Sequence, residues 1–219
     1  MNKLIGIASL FLLAFSAVAP ATTLTWNLSG PDADFGGNSH VFTSNIGGVT
    51  ITAYGFTGSG TTPNAKLYGK SDAPDDFGLG LDLGGQIDPS NEIMGSAFIQ
   101  LDLSNLAAAN VINFKFMMDS ITGPDAWKTT GSTTLGVVGT AAQCTPACPS
   151  GADELTHTIL APLSHYLTFS ATGGTYLIKS VSADLGSSLQ GVPEPASLVL
   201  MSVGLLGLGT LRRLLRKSS

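Results

Sequence analysis

Hydrophobic and polar residues alternate with period two through most of the interior of the chain. Val49-Thr50-Ile51-Thr52-Ala53-Tyr54-Gly55-Phe56 alternates well, and Val111-Ile112-Asn113-Phe114-Lys115-Phe116-Met117 does so after its first residues. Successive side chains of an extended chain point to opposite faces, so this period predicts strands with one buried face. Further strands are expected at 24–28, 40–44, 65–68, 98–103, 133–138, 155–159, 166–171 and 175–182. Turn signals separate them: Gly36-Gly37-Asn38, Gly47-Gly48, Gly58-Ser59-Gly60, Gly84-Gly85, Gly123-Pro124-Asp125 and Gly173-Gly174. Gly173-Gly174 lies between two strand candidates and predicts a terminal hairpin. One short helical turn is expected at 105–110, where three alanines follow one another. Many short strands at this spacing predict an all-β fold, an antiparallel two-sheet sandwich of jelly-roll or immunoglobulin-like topology.

Composition agrees with that reading. Charged residues make up 11% of the 219, and there are 27 glycines, a profile of strands and turns rather than of surface helices rich in Glu, Lys and Arg. The formal net charge of -5 conceals an asymmetry. Lys3, Arg212, Arg213, Arg216 and Lys217 lie near the two ends, while the interior holds five lysines against fourteen of the fifteen acidic residues, a balance of -9. An acidic body disfavours nucleic acid and anionic lipid as partners.

Two segments depart from the alternation. Residues 1–21 combine Lys3, an apolar stretch at 4–15 and Ala19-Pro20-Ala21, which predicts a signal peptide cleaved after Ala21. Cleavage after Ala19 also satisfies the small-residue rule but would leave Pro20 at the new N-terminus. At the other end, Val192-Pro193-Glu194-Pro195 precedes the apolar run 196–211 and the basic cluster Arg212, Arg213, Arg216 and Lys217. The two prolines keep the peptide around Glu194 extended, a form that a protease can grip. A 16-residue helix is about 24 Å long against a hydrocarbon core of roughly 30 Å, so the run predicts one short transmembrane helix. Basic residues stay cytoplasmic, which puts everything before them outside. The organisation expected is therefore 1–21 signal peptide, 22–185 exported sandwich, 186–191 flexible linker and 192–219 sorting tail.

In that order and position, residues 192–217 resemble the PEP-CTERM sorting signal of Gram-negative bacteria, a segment also catalogued at the C-terminus of some ice-binding proteins. The resemblance implies recognition and cutting by an exosortase, a membrane cysteine protease, often in organisms that make exopolysaccharide. It also implies transient anchoring in the inner membrane, followed by residence at the cell surface or outside the cell.

Candidate chemistry in the body is sparse. Cys144 and Cys148 are the two cysteines, and an oxidising compartment predicts a disulfide between them, worth on the order of 2 kcal/mol through the lost entropy of the unfolded chain. His157 is the nearest further ligand for a zinc reading. Acidic loop residues Asp32 and Asp34, then Asp72, Asp75 and Asp76, then Asp82 and Asp88, are solvated charge or, at Asp72, Asp75 and Asp76, a calcium site built from oxygen ligands. Apart from that calcium, the sequence implies no cofactor. His40, His157 and His165 accompany no Gly-x-Ser-x-Gly elbow and no His-Glu-x-x-His helix, so no catalytic residue is assigned and no enzyme is expected. Trp127 with Tyr54 or Tyr68 is either core or a sugar-stacking platform, and the threonines of 129–134 lack the regular spacing of an ice-binding face. The expected function is a noncatalytic surface or extracellular-matrix protein associated with exopolysaccharide. The alternatives are a carbohydrate- or calcium-binding module, a secreted hydrolase and a permanently tethered envelope protein.

Overall fold

The computed structural model describes residues 22–72, 76–84, 90–109, 111–121, 126–140, 144–145, 156–159 and 164–186. Within them the chain runs through β1 (Thr23–Asn27), β2 (Ala33–Asp34), β3 (Ser39–Thr43), β4 (Thr50–Thr57), β5 (Lys66–Asp72), β6 (Asp76–Asp82), β7 (Ile93–Met94) and β8 (Ala97–Asp102). The helical turn α1 (Ser104–Ala108) comes next, then β9 (Val111–Asp119), β10 (Ala126–Ser132), β11 (Cys144–Thr145), β12 (Thr156–Ile159), β13 (Tyr166–Gly173) and β14 (Thr175–Leu185). The strands form two antiparallel sheets, as the alternation predicts. One has five strands in the order β10-β13-β8-β4-β3; the other has nine, with the path β11-β12-β9-β14-β6-β5-β2.

Strand β14 is the spine of the larger sheet. One of its edges pairs with β9 along most of its length. The other is shared in succession by β7 at Thr175 and Tyr176, by β6 at Ile178, and by β1 from Ser180 to Asp184. The register against β9 shifts between Ile178 and Ser180, so Lys179 is the extra residue of a bulge. A bulge flips the phase of the residues beyond it. Tyr176 and Ile178 before it, and Val181 and Ala183 after it, all reach the core.

The core lies between the sheets. Ile51, Ile99, Leu101, Leu167 and Phe169 of the smaller sheet meet Leu67, Leu79, Phe116, Met118 and Val181 of the larger. Trp26 is fully buried, and its indole Nε1 donates to Val49 O at 2.9 Å. Phe116 sits edge-on to both Trp127 and Phe169, with ring centroids 5.4 and 5.0 Å away.

Two local expectations are corrected. Residues 133–138 form no strand but a turn and loop beside β10. Gly173-Gly174 makes no hairpin: β13 pairs with β10 and β8, whereas β14 lies in the opposite sheet. Gly174, at φ 67°, turns the chain across the sandwich. Strand β6, Asp-Phe-Gly-Leu-Gly-Leu-Asp, escaped the alternation because Gly78 and Gly80 occupy side-chain positions. A Cβ on Gly80 would run into the backbone of Asn91, and one on Gly78 into Leu177 and Ile178.

The signal peptide, the residues after 186 that include the linker, sorting motif and apolar run, and Cys148 lie outside the described residues. No helix among the described residues is long and apolar enough to cross a membrane.

Candidate functional site

On the five-stranded sheet, Ile99 and Leu101 face the core, so the alternation turns Phe98 and Gln100 to the outer face. The strand registers then line up one lateral row. Lys128 on β10 stands opposite Ser170 on β13, Ser170 opposite Phe98 on β8, and Phe98 opposite Phe56 on β4. Three inter-strand steps make this row about 14 Å long. It grades from a cation through a hydroxyl to two phenyl rings stacked at 4.8 Å with an interplanar angle of 13°.

A cleft of about 520 Å³ opens over this row, with Phe98, Ser170 and Lys128 among its lining. Its walls are the segment Gly58 to Thr61 after β4, the Gly95-Ser96 turn before β8, and Gly136 to Val138. Gln100, fully buried, fixes the last wall. Its Oε1 accepts from Gly136 N at 2.6 Å, and its Nε2 donates to Val137 O and to Thr168 Oγ1, both at 2.9 Å. Gly136 has φ 73°, and any Cβ there would collide with the backbone of Gly60, so two walls touch backbone to backbone. The cleft is thereby held open in advance of any ligand.

Two polar groups at this cleft are uncommitted. Ser170 Oγ is buried and, among the described residues, has no hydrogen-bond partner. Lys128 is exposed and, among the described residues, has no ion-pair partner. Lys66, Lys70 and Lys179, by contrast, each hold a carboxylate within 3.1 Å.

A second constellation lies on the larger sheet. Lys70, whose side chain is 7% exposed, places Nζ 2.9 Å from Asp76 Oδ2 and 3.0 Å from Glu92 Oε1. Ser120 Oγ donates to the same Glu92 oxygen at 2.9 Å, and Ser120 N donates to Asp119 Oδ1 at 2.9 Å. Asp119 Oδ2 takes Phe77 N at 3.2 Å and Lys179 Nζ at 3.1 Å. Ser120 and Asn91 beside this network both have positive φ, 58° and 56°. Burial disfavours the Lys70 ammonium, but its bonds to Asp76 and Glu92 outweigh that and raise its pKa above 10.5. Burial likewise works against the Asp76 carboxylate, and the bonds from Lys70 and Ser120 prevail, lowering its pKa below 3.8. The network is a charge-compensated brace between β5, β6, β9 and β14.

The residues marked by the sequence pattern are scattered over both sheets. Asp76 is engaged by Lys70; Asp75 and the side chain of Asp72 lie outside the described residues. Among the described residues, no group of three or more His, Cys, Asp or Glu is placed to hold a metal ion. Asp32 accepts from Tyr68 OH at 3.1 Å. Asp34 pairs with Lys66 at 3.0 Å, and the hydrogen bond from Lys66 lowers its pKa. Asp82 accepts from Gly84 N at 2.9 Å, and Asp88 lies outside the described residues. Cys144 forms part of β11 by its backbone; its side chain is not among those described.

The histidines are separate. His40 packs between Phe35 and Phe42, with centroids 4.3 and 4.7 Å away, and burial lowers its pKa. His165 stacks on Tyr166 and stands 3.9 Å from Asp102. His157 belongs to β12 by its backbone, with its side chain outside the described set. Trp127 faces the core, Tyr54 the outer face of the smaller sheet, and Tyr68 the larger sheet, so these three form no shared platform. Thr129 and Thr130 are buried.

Gln100, Lys128, Ser170 and, Asp76 apart, the Lys70 network carry no signal in the sequence pattern. Their significance comes largely from cross-strand neighbours as far as 68 residues away, which no local pattern announces.

Compared with known families, residues 191–213 match the PEP-CTERM protein-sorting motif. Searches of curated proteins and of solved structures return no match to the chain.

Proposed function

From the sorting motif at 191–213, which marks an exported protein processed by an exosortase, we propose a noncatalytic protein of the cell surface or extracellular matrix, associated with exopolysaccharide. A signal peptide at 1–21 delivers the body across the inner membrane, the 196–211 segment holds it there, and cleavage near Pro193-Glu194-Pro195 frees it. Body architecture supports this order. The first and last strands lie side by side, with Leu185 N donating to Thr22 O at 2.9 Å. The described body therefore begins and ends at one end of the sandwich.

Chain winding supports the jelly-roll reading over the immunoglobulin-like one. From β8 onward the chain switches sheets at nearly every connection: β8, β10 and β13 fall in one sheet, and β9, β12 and β14 in the other. Strands β1, β14, β9 and β12 are neighbours in the latter, the pattern of a rolled pair of Greek keys.

The motif match carries this proposal. Deleting Pro193 to Pro195 is expected to trap the uncut protein in the membrane fraction, read by immunoblot of fractionated cells and mass spectrometry of the mature C-terminus. Unchanged release would sink the sorting claim.

A further inference from the structure

We propose that the cleft over the outer face of the five-stranded sheet binds a uronic-acid-bearing saccharide, its carboxylate on Lys128 and its apolar ring face toward the Phe98 floor. Charge complementarity is the first argument. In a body of net charge -9, Lys128 is a cation that no carboxylate claims among the described residues, and it lines a cleft of about 520 Å³. That volume lies within the ordinary range for small-ligand sites.

Neighbouring chemistry is the second argument. Ser170 is only 8% exposed, its Oγ has no hydrogen-bond partner among the described residues, and it stands directly across from Lys128. A buried hydroxyl without a partner is unusual enough to need a reason, and a ligand hydroxyl or carboxylate reached after a small side-chain rotation supplies one. Phe98 is next in the same row, so charge, hydroxyl and aromatic ring come in the sequence that a uronate ring presents as carboxylate, hydroxyls and C–H face.

The walls present both polar and apolar groups, and the laurate arm of the test separates a sugar from a simple amphiphile. Gly58, Gly60, Gly95 and Gly136 bring peptide groups to the rim without side chains, and Ser59, Thr61 and Ser96 add hydroxyls. Those hydroxyls can serve a polyhydroxylated ligand, while Val137, Val138 and Ala171 make the rest of the lining apolar, a surface for the C–H face of a sugar ring. The Gln100 clamp holds the Gly136 wall in place before binding, so little ordering cost falls on the ligand. This inference rests on the reading of the chain as an exported, polysaccharide-associated protein, and it names the site and the ligand class.

The test is isothermal titration of the full chain, reconstituted in nanodiscs, with tri-galacturonate, maltotriose and laurate. Tri-galacturonate is expected to bind, with affinity falling as salt rises. Lys128→Met should weaken binding roughly 10- to 100-fold by removing a charge-assisted contact, and Lys115→Met on the other sheet should leave it unchanged. Lys128 is exposed, so Lys128→Met should keep the parent melting temperature. Ser170→Ala should weaken binding several-fold. The inference is overturned if tri-galacturonate does not bind, if Lys128→Met binds as the parent does, if maltotriose binds equally well, or if laurate is taken instead. Deleting Pro193 to Pro195 should leave this binding intact, so a failure of sorting and a failure of recognition give different results.

Discussion

Replacing Lys70 with Met tests whether the buried network braces the larger sheet. Lys70 and Glu92 have side chains 7% and 5% exposed, while Asp76 is 38% exposed. Losing the ammonium strands the two carboxylates unequally. Asp76 can rehydrate, so its share of the loss is small. Glu92 is 5% exposed and cannot, though it retains the Ser120 hydroxyl at 2.9 Å. Breaking a buried pair by removing one partner typically costs about 3–5 kcal/mol, mostly as the penalty of the uncompensated charge. We therefore expect Lys70→Met to lower the unfolding free energy at pH 7 by roughly 3 kcal/mol, read from urea unfolding followed by tryptophan fluorescence.

The double variant Lys70→Met/Glu92→Gln removes the stranded charge as well and should recover more than half of that loss. In the parent, Lys70 has a raised pKa, so its contribution is complete below 10.5 and fades as pH rises through the elevated value. Asp76 has a lowered pKa, so its contribution is complete above 3.8 and fades as pH falls through the depressed value. Between these limits neither Lys70 nor Asp76 should add pH dependence. A loss below about 1 kcal/mol for Lys70→Met, or a double variant no better than the single one, would refute the reasoning.

Two further predictions concern the walls of the cleft. Gln100→Ala deletes three hydrogen bonds in a fully buried position and should cost about 2–4 kcal/mol, with amide exchange accelerating first at Gly136 and Val137. Equal protection of those amides in parent and variant would show that the clamp is not what holds the loop. Gly136→Ala combines a positive φ with a collision against the Gly60 backbone and should lower stability by about 1–3 kcal/mol in thermal unfolding. A variant as stable as the parent would show that the two walls can separate freely.

How much was legible in advance differs from one element to the next. Strands β1, β3, β4, β9 and β13 keep to their alternation to within a few residues, because a half-buried strand must obey period two. Strand β10 did not declare itself. Thr129, Thr130 and Ser132 are buried although polar, so its sequence resembles a solvated loop. Residues 133–138 misled in the opposite sense: they alternate, yet Gln100 draws them into a loop over the sheet. The cleft was illegible altogether, since Lys128, Ser170, Phe98 and Phe56 become one row only once four strands are in register.

The sequence by itself determined the all-β class, the acidic body and the sorting tail. A protease reads an extended peptide residue by residue, and a strand's burial is written in its own period. Tertiary structure alone decided that Gly173-Gly174 crosses between sheets rather than closing a hairpin, that a bulge at Lys179 carries the spine strand's phase, and that Lys70 and Lys128 have opposite fates. One lysine is sealed between carboxylates and the other is left uncommitted at a cleft. The reason is physical: strand edges and buried charges choose their partners by long-range packing, and the information for that choice is distributed over the whole chain.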